Sequence, residues 1–169
     1  PRCAGPAQSR AERQVIVQER NARHRAHGGD DVVAAARRWI GTPYHHQAST
    51  IGVGADCLGL IRGVWRKIYG EDAETPPGYS RDWGEASGDE TLIEAALRHL
   101  VPRKDGASEI GDVLIFRMKP GAVAKHAAVR ATAETMIHAM EHCRAAEVPF
   151  GPWWRRRLAA SFAFPGTVR

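Results

Sequence analysis

Cys57 stands in the run Gly54-Ala55-Asp56-Cys57-Leu58-Gly59-Leu60-Ile61, and His126 and His138 follow on segments with strand-like alternation. A thiol and two imidazoles are the parts of a nucleophilic hydrolase. The thiolate is the reacting species, and a helix N-terminus or a neighbouring imidazolium lowers a thiol pKa. A base must lie within hydrogen-bond reach of the nucleophile and be oriented by a third group. On these grounds Cys57 is assigned as nucleophile, His126 as base and later acid, and His138 as the orienting residue. Backbone N–H groups at the helix start, that of Cys57 included, are natural donors to an oxyanion. Taken singly, a cysteine on an apolar helix face reads as a packed core residue, and a lone strand histidine reads as structural or exposed. Asp56 reads either as a helix cap or as a ligand for a substrate amine, and its charge beside Cys57 opposes thiolate formation.

These side chains need elements to position them. Val32, Val33, Ala36, Trp39 and Ile40 recur at helical spacing behind Asp30 and Asp31 as a plausible N-cap, and Gly41 and Pro43 stop the helix. A loop over 42–56 leads to a second helix from Cys57 to Tyr69, with Cys57, Leu60, Ile61, Val64, Trp65 and Ile68 on one face and Gly70 ending it. Cys57 is therefore expected at the helix tip on the buried side. A polar linker over 71–88 contains Pro76-Pro77-Gly78-Tyr79, and a third helix over 89–100 turns Leu92, Ile93, Ala96, Leu97 and Leu100 inward. After Pro102 the period becomes alternating, with strands expected at 112–117, 125–130, 134–140, 144–148 and 161–164. Helices first and strands later indicate an α+β fold, with N-terminal helices packed on an antiparallel sheet.

A hairpin with residues 131–133 as its loop sets Arg130 opposite Glu134, Ala128 opposite Met136 and His126 opposite His138. Opposed side chains share a face, so this register puts the two imidazoles side by side, and a one-residue slip would separate them.

The bulk properties bound the rest. A chain of 169 residues with 43% hydrophobic and 25% charged residues suits one domain with a real core. Residues 1–29, with Arg2, Arg10, Arg13, Arg20, Arg23 and Arg25, read as a basic arm, and 30–169 as the domain. The net charge of +5 and pI near 9.5 favour anionic partners: nucleic acid, a cell-wall polymer or an acidic protein surface. No stretch approaches a bilayer span and the N-terminal residues hold no apolar signal core, so synthesis and folding in the cytoplasm are expected.

The remaining constellations are weaker. Three cysteines without CxxC spacing argue against a disulfide framework and leave at least one thiol free, with Cys3 and Cys143 read as spectators. His45, His46, His138, His142 and Cys143 fit no compact zinc spacing, and neither a metal nor a cofactor is expected. Trp153-Trp154-Arg155-Arg156-Arg157 reads as packed tryptophans with solvated arginines, as an anchor for a protein partner, or as a nucleic-acid strip. No phosphate loop, serine elbow or dinucleotide fingerprint occurs.

The segments Gly41-Thr42-Pro43-Tyr44, Gly54-Ala55-Asp56-Cys57-Leu58-Gly59, Gly111-Asp112-Val113-Leu114-Ile115-Phe116, Lys125-His126-Ala127-Ala128-Val129 and Met136-Ile137-His138-Ala139 resemble the NlpC-type cell-wall cysteine peptidases in order, spacing and residue type. The resemblance runs from about residue 31 to the C-terminus. It is greatest to the phage-tail and gene-transfer-agent branch, through Thr42-Pro43-Tyr44-His45-His46-Gln47-Ala48 and Gly151-Pro152-Trp153-Trp154-Arg155-Arg156-Arg157-Leu158. It implies a papain-like fold and a Cys57, His126, His138 triad. It also implies hydrolysis of peptidoglycan stem peptides, commonly between D-glutamate, through its γ-carboxyl, and the diamino acid. Tyr44 matches the family's tyrosine near the nucleophile, and Asp56 the acid that binds the substrate's free amine. Leu58 departs from the family, which usually has serine there, often helping to bind substrate.

The function expected is a tail-tip endopeptidase that a phage-like particle carries to the cell wall and that opens it for DNA entry. The arm and the Trp153–Arg157 segment would hold it to neighbouring tail proteins. The alternatives are a tail component of the same fold with little or no activity, an amidase or acyltransferase using the same triad, and a nucleic-acid-binding module.

Overall fold

The computed structural model describes residues 26–80, 88–104 and 106–168. Of the expected basic arm, residues 1–25 lie outside this range, as does Cys3. Within it, His27–Gly28 form a short strand β1, and α1 (Gly29–Arg37) follows directly. The N-cap of α1 is Gly28, not the expected Asp30 or Asp31. Asp31 instead sits one turn in, where its carboxylate accepts the Gly28 N–H at 2.8 Å. The helix ends at Arg37, so Trp39 still reaches the core at 2% exposure while Ile40, expected inward, is 46% exposed.

Two short strands, β2 (Ser49–Thr50) and β3 (Gly54–Ala55), pair antiparallel and deliver the chain to α2 (Cys57–Tyr69). Gly70 closes α2 in the left-handed conformation (φ 85°) that glycine adopts without steric cost. Beyond the linker, α3 covers Thr91–His99. Leu92 and Ala96 are buried there, but Leu97 is 47% exposed, contrary to expectation.

The remaining strands are β4 (Val101–Pro102), β5 (Val113–Phe116), β6 (His126–Arg130), β7 (Thr135–His138), β8 (Ala146–Pro149), β9 (Leu158–Ala163) and β10 (Thr167–Val168), with a single-turn helix α4 (Pro152–Arg155) before β9. Among the described residues β4-β9-β5-β6-β7-β8 form one six-stranded sheet, antiparallel at each junction. The last core strand begins three residues before the expected 161–164 and is seated between β4 and β5. Outside the sheet, β10 pairs with β1, so the ends of the described fold meet. The α+β expectation holds: helices and a mainly antiparallel sheet.

The two faces of the sheet are buried against different things. Val113, Ile115, Ala127, Val129, Ile137 and Ala139 point into the core that also holds Leu60, Ile61, Val64 and Trp65 of α2. Leu114, Phe116, Ala128 and Met136 point the other way, onto Phe150, with Trp154 and Leu158 packed beside them. Both faces being covered, β5 reads as an unbroken apolar run rather than an alternating one.

The β6–β7 register differs from the one expected. Val129 pairs with Ile137 and Arg130 with Met136, which shifts the pairing by two residues. The cause is Thr132. Its hydroxyl accepts the N–H groups of Glu134 (3.1 Å) and Thr135 (3.0 Å) and bonds Thr135 Oγ1 at 2.8 Å. Serine and threonine stabilise turns by this kind of local side-chain bond. A two-residue shift preserves which face each side chain takes, so both histidines still share one side.

Candidate active site

Cys57 is the first residue of α2 because Asp56 caps the helix. Asp56 Oδ1 accepts the Gly59 N–H at 2.7 Å, and Oδ2 accepts the Gln47 N–H at 2.7 Å and the Tyr79 hydroxyl at 2.6 Å. The carboxylate is 3% exposed, with His46 Nδ1 at 3.6 Å. Burying a charge needs this density of donors. Gly59 is required for the seat: a Cβ there would lie 1.8 Å from the Ala48 carbonyl oxygen. Gln47 holds a positive φ of 64°, uncommon for a side-chain-bearing residue, which aims its N–H at Asp56. Sequence reasoning left Asp56 between a cap and a ligand for an amine; in the structure it caps the helix and also lines the cleft beside Cys57.

The histidines meet from neighbouring strands. His126 opens β6 and His138 closes β7, and His126 Nε2 lies 2.9 Å from His138 Nδ1 with the rings at 82°. They are a diagonal pair rather than the directly opposed pair expected, and imidazoles are long enough to close that gap. Each is 7% exposed. The approach to β6 is braced by Glu90, whose carboxylate accepts the Ala124 N–H at 3.0 Å and bonds Arg117.

Sulfur and rings come from opposite sides of the sheet. Cys57 packs with the α2 core, while both imidazoles face Trp154. The Cys57 thiol hydrogen bonds to the Lys125 carbonyl at 3.8 Å, and the Ala127 N–H points at the sulfur. The thiol thus lies against the peptide groups on either side of His126, and its hydrogen bond in this conformation runs to backbone rather than to an imidazole. Burial, then the Asp56 charge, pushes the thiol up to about 12, against the backbone N–H groups of Ala127, Leu58 and Cys57, which pull it down. Burial, then His138, lowers His126 to about 3. Burial lowers His138 as well. Burial therefore favours the neutral form of all three groups.

A cleft opens at the helix tip, lined by Tyr44, His46, Asp56, Cys57, Leu58, Tyr79, Leu92, Lys125 and Glu141. Tyr44, expected near the nucleophile, is in this wall. His46 and Tyr79 are parts that sequence reasoning missed. Tyr79 is held by its hydroxyl on Asp56 and by its carbonyl, which accepts from Gln47 Nε2 at 2.5 Å and bonds His46 Nε2 at 2.8 Å. Tyr79 is one of two aromatics, with Trp83, in the mostly polar 71–88 sequence, and that was the available signal. Leu58, Tyr79 and Leu92 also border a second, apolar cavity of about 210 Å³ that reaches Ile61, Trp65 and Ile115.

The NlpC/P60 family profile matches residues 41–162. No curated protein sequence matches the chain. Among solved structures, an NlpC/P60 family protein from Bacillus cereus superposes with a TM-score of 0.61 at 19% identity over 83% of this chain. The NlpC/p60 domain of the peptidoglycan hydrolase SagA gives 0.57 at 20% identity over 82%. An NLP/P60 protein described as similar to a lipoprotein, from Staphylococcus aureus, gives 0.57 at 15% over 84%. The chain spans 41% of the Bacillus protein and 44% of the Staphylococcus protein, but all of the SagA domain.

Proposed function

The chain belongs to the NlpC/P60 family, and we propose that it is a cysteine peptidase acting on peptidoglycan stem peptides. The observation that carries this reading is the His126–His138 hydrogen bond beside a thiol at a helix N-terminus. With His126 Nε2 engaged by His138, Nδ1 is the nitrogen left to take a proton. The thiol first leaves the Lys125 carbonyl and swings past the backbone of His126 to meet Nδ1, which takes its proton as the sulfur attacks the scissile carbonyl carbon. The oxyanion faces backbone N–H groups at the start of α2. His126 then protonates the departing amine as the C–N bond breaks. Water, deprotonated by His126, hydrolyses the resulting thioester. His138 fixes the tautomer and ring angle of His126.

Tyr44 and Asp56 form the wall on which the peptide lies, with Asp56 supplying the negative charge that a free amine of the stem peptide would meet. The bond proposed is that between D-glutamate, through its γ-carboxyl, and the diamino acid. Leu58 turns part of the cleft apolar where a serine is usual, so the side-chain preference is expected to differ from that of serine-bearing relatives. The setting proposed is the tail tip of a phage or gene-transfer agent, which carries the enzyme to the periplasmic cell wall, with residues 1–29 and Trp153–Arg157 touching neighbouring tail proteins. Loss of particle incorporation on deleting residues 1–29 tests that tether; unchanged incorporation removes it.

Purified protein and its Cys57→Ala variant, incubated with muropeptides and read by mass spectrometry, test the activity. Cleavage by the first alone is expected, and the mass of the fragments names the bond. A second reading, a tail component of the same fold without activity, is favoured by the thiol's bond to Lys125 and its raised pKa. Absence of cleavage by either protein would select it.

A further inference from the structure

The Trp153–Arg157 segment reads from sequence as a partner-docking patch or as ordinary packing. Its two tryptophans have different positions. Trp153 is 44% exposed, whereas Trp154 is turned onto the histidine pair. Its ring is stacked on His126, with centroids 5.5 Å apart and planes at 29°, and stands edge-on to His138 at 5.2 Å and 87°. Phe116 supports it from beneath, 5.0 Å from Trp154 and 6.1 Å from His126. Trp154 is thus the one described aromatic residue whose ring touches both imidazoles.

Two of the arginines beside it, Arg155 and Arg157, are used within the fold. Arg157 lies 3.8 Å over the Trp153 ring, donates to the Trp153 carbonyl at 3.1 Å, and bonds the Met118 carbonyl at 3.4 Å. Its own carbonyl accepts from Arg117 N–H at 2.9 Å, beyond the end of β5. Arg155 lies 4.5 Å over Phe150 and donates to the Ala133 carbonyl at 2.9 Å, on the β6–β7 turn. The turn that bears Trp154 is therefore clamped to the chain just beyond β5 and to the turn of the histidine hairpin. Gly151 and Pro152 start this turn, and proline at the first helical position presets its backbone.

We infer that Trp154 is a positioning residue for the histidine pair: stacked on His126 and edge-on to His138, it holds the two rings in hydrogen-bonding register and keeps water off the bond between them. A single hydrogen bond between two strand side chains resists ring rotation only weakly, since breaking that one bond frees either ring to turn about its Cβ–Cγ axis. A flat wall against one ring and an edge against the other removes that freedom. Exclusion of water strengthens the bond, because a hydrogen bond in a low-dielectric site competes with no solvent partner. The role is indirect, since Trp154 acts through the imidazoles and is not among the residues that line the cleft.

The kinetic half of the test rests on the peptidase reading and the spectroscopic half does not. In protein labelled with ¹⁵N-histidine, the proton shared by His126 Nε2 and His138 Nδ1 is expected as a slowly exchanging low-field NMR signal at neutral pH. Trp154→Ala should broaden it into exchange with water, and Trp154→Phe should retain it. On muropeptides, Trp154→Ala should lower kcat by roughly ten- to a hundredfold with KM nearly unchanged, and Trp154→Phe should restore most of it. Amide spectra establish that each variant is folded, and Trp154→Leu, apolar but without a ring, replaces the alanine variant if that one is not. A shared proton equally protected in the ring-less variant overturns the inference, as does its absence from the wild type. A protected proton in a wild type that cleaves nothing sinks the peptidase reading and leaves the role of Trp154 standing.

Discussion

The sheet face that receives α2 and the face that receives α4 are both buried, yet they are built differently. Where α2 lands, the sheet offers small and aliphatic side chains, Ala127, Val129, Ile115 and Ile137. They let the helix approach closely and bring Cys57 down onto the backbone of β6. The other face is aromatic, with Phe116, Phe150 and Trp154 enclosing His126 and His138. One strand serves both, since alternate residues of β6 point to opposite sides. Close approach of the Cys57 thiol needs a smooth seat, and orientation of an imidazole needs flat walls. A strand between two cores can provide each on its own face.

Substitutions on the two faces should separate these tasks. The largest expected effect is on chemistry: Cys57→Ala and His126→Ala should each reduce muropeptide cleavage by on the order of 10⁴-fold or more, whereas loss at His138 should be smaller by roughly a hundredfold, as orienting groups generally cost less than nucleophiles. Steady-state rates with matched thermal melts check this, and equal losses at all three positions would mean that the rings act as one unit. On stability, Phe116→Ala on the aromatic face should cost about 3–5 kcal/mol, and Leu60→Ala on the helical face about 2–5 kcal/mol, both residues being fully buried. Urea denaturation measures both. If only the Phe116 variant lost activity beyond its loss of folded protein, the division of labour would be sharpened.

Titration offers a third comparison. His126 is lowered to about 3 in the folded chain from an ordinary 6.5. On acidification the unfolded chain binds the proton first, so this contribution to stability is present above about 6.5 and is lost as pH falls toward 3. Cys57, raised to about 12 from 9, has the opposite sign: its contribution is present below 9 and is lost as pH rises through 12. Denaturation curves from pH 3.5 to 7 should therefore be flatter for His126→Gln than for the parent, and curves from pH 8 to 11 flatter for Cys57→Ala. Parallel curves would mean that neither group is buried uncharged. The smallest effect is expected at Leu97, exposed on α3, where alanine should change stability by no more than about 0.5 kcal/mol.

Periodicity and local capping carried much of this arrangement on the surface of the sequence. The helix beginning at Cys57 and the strands around His126 and His138 could be read because the apolar spacing, Asp56 and Gly70 all lie within a few residues of the features they define. Ends governed by a less obvious local bond were misjudged. Gly28 capped α1 because Asp31 reached back to it, and Thr132 shifted the hairpin pairing. Ile40 and Leu97 followed helical periodicity but fell outside the packed faces, since the period says which side a residue shares and not how far the core extends.

Local chemistry by itself determined the elements that carry Cys57, His126 and His138 and the fold class, because caps, periods and turn residues act over a handful of positions. Only the tertiary structure decided that Tyr79 would close over Asp56 from 23 residues away, that Trp154 would turn from a surface patch onto both imidazoles, and that the thiol would rest against Lys125. Those contacts join segments far apart in the chain, and their partners are selected by which faces remain to be covered once the sheet has formed.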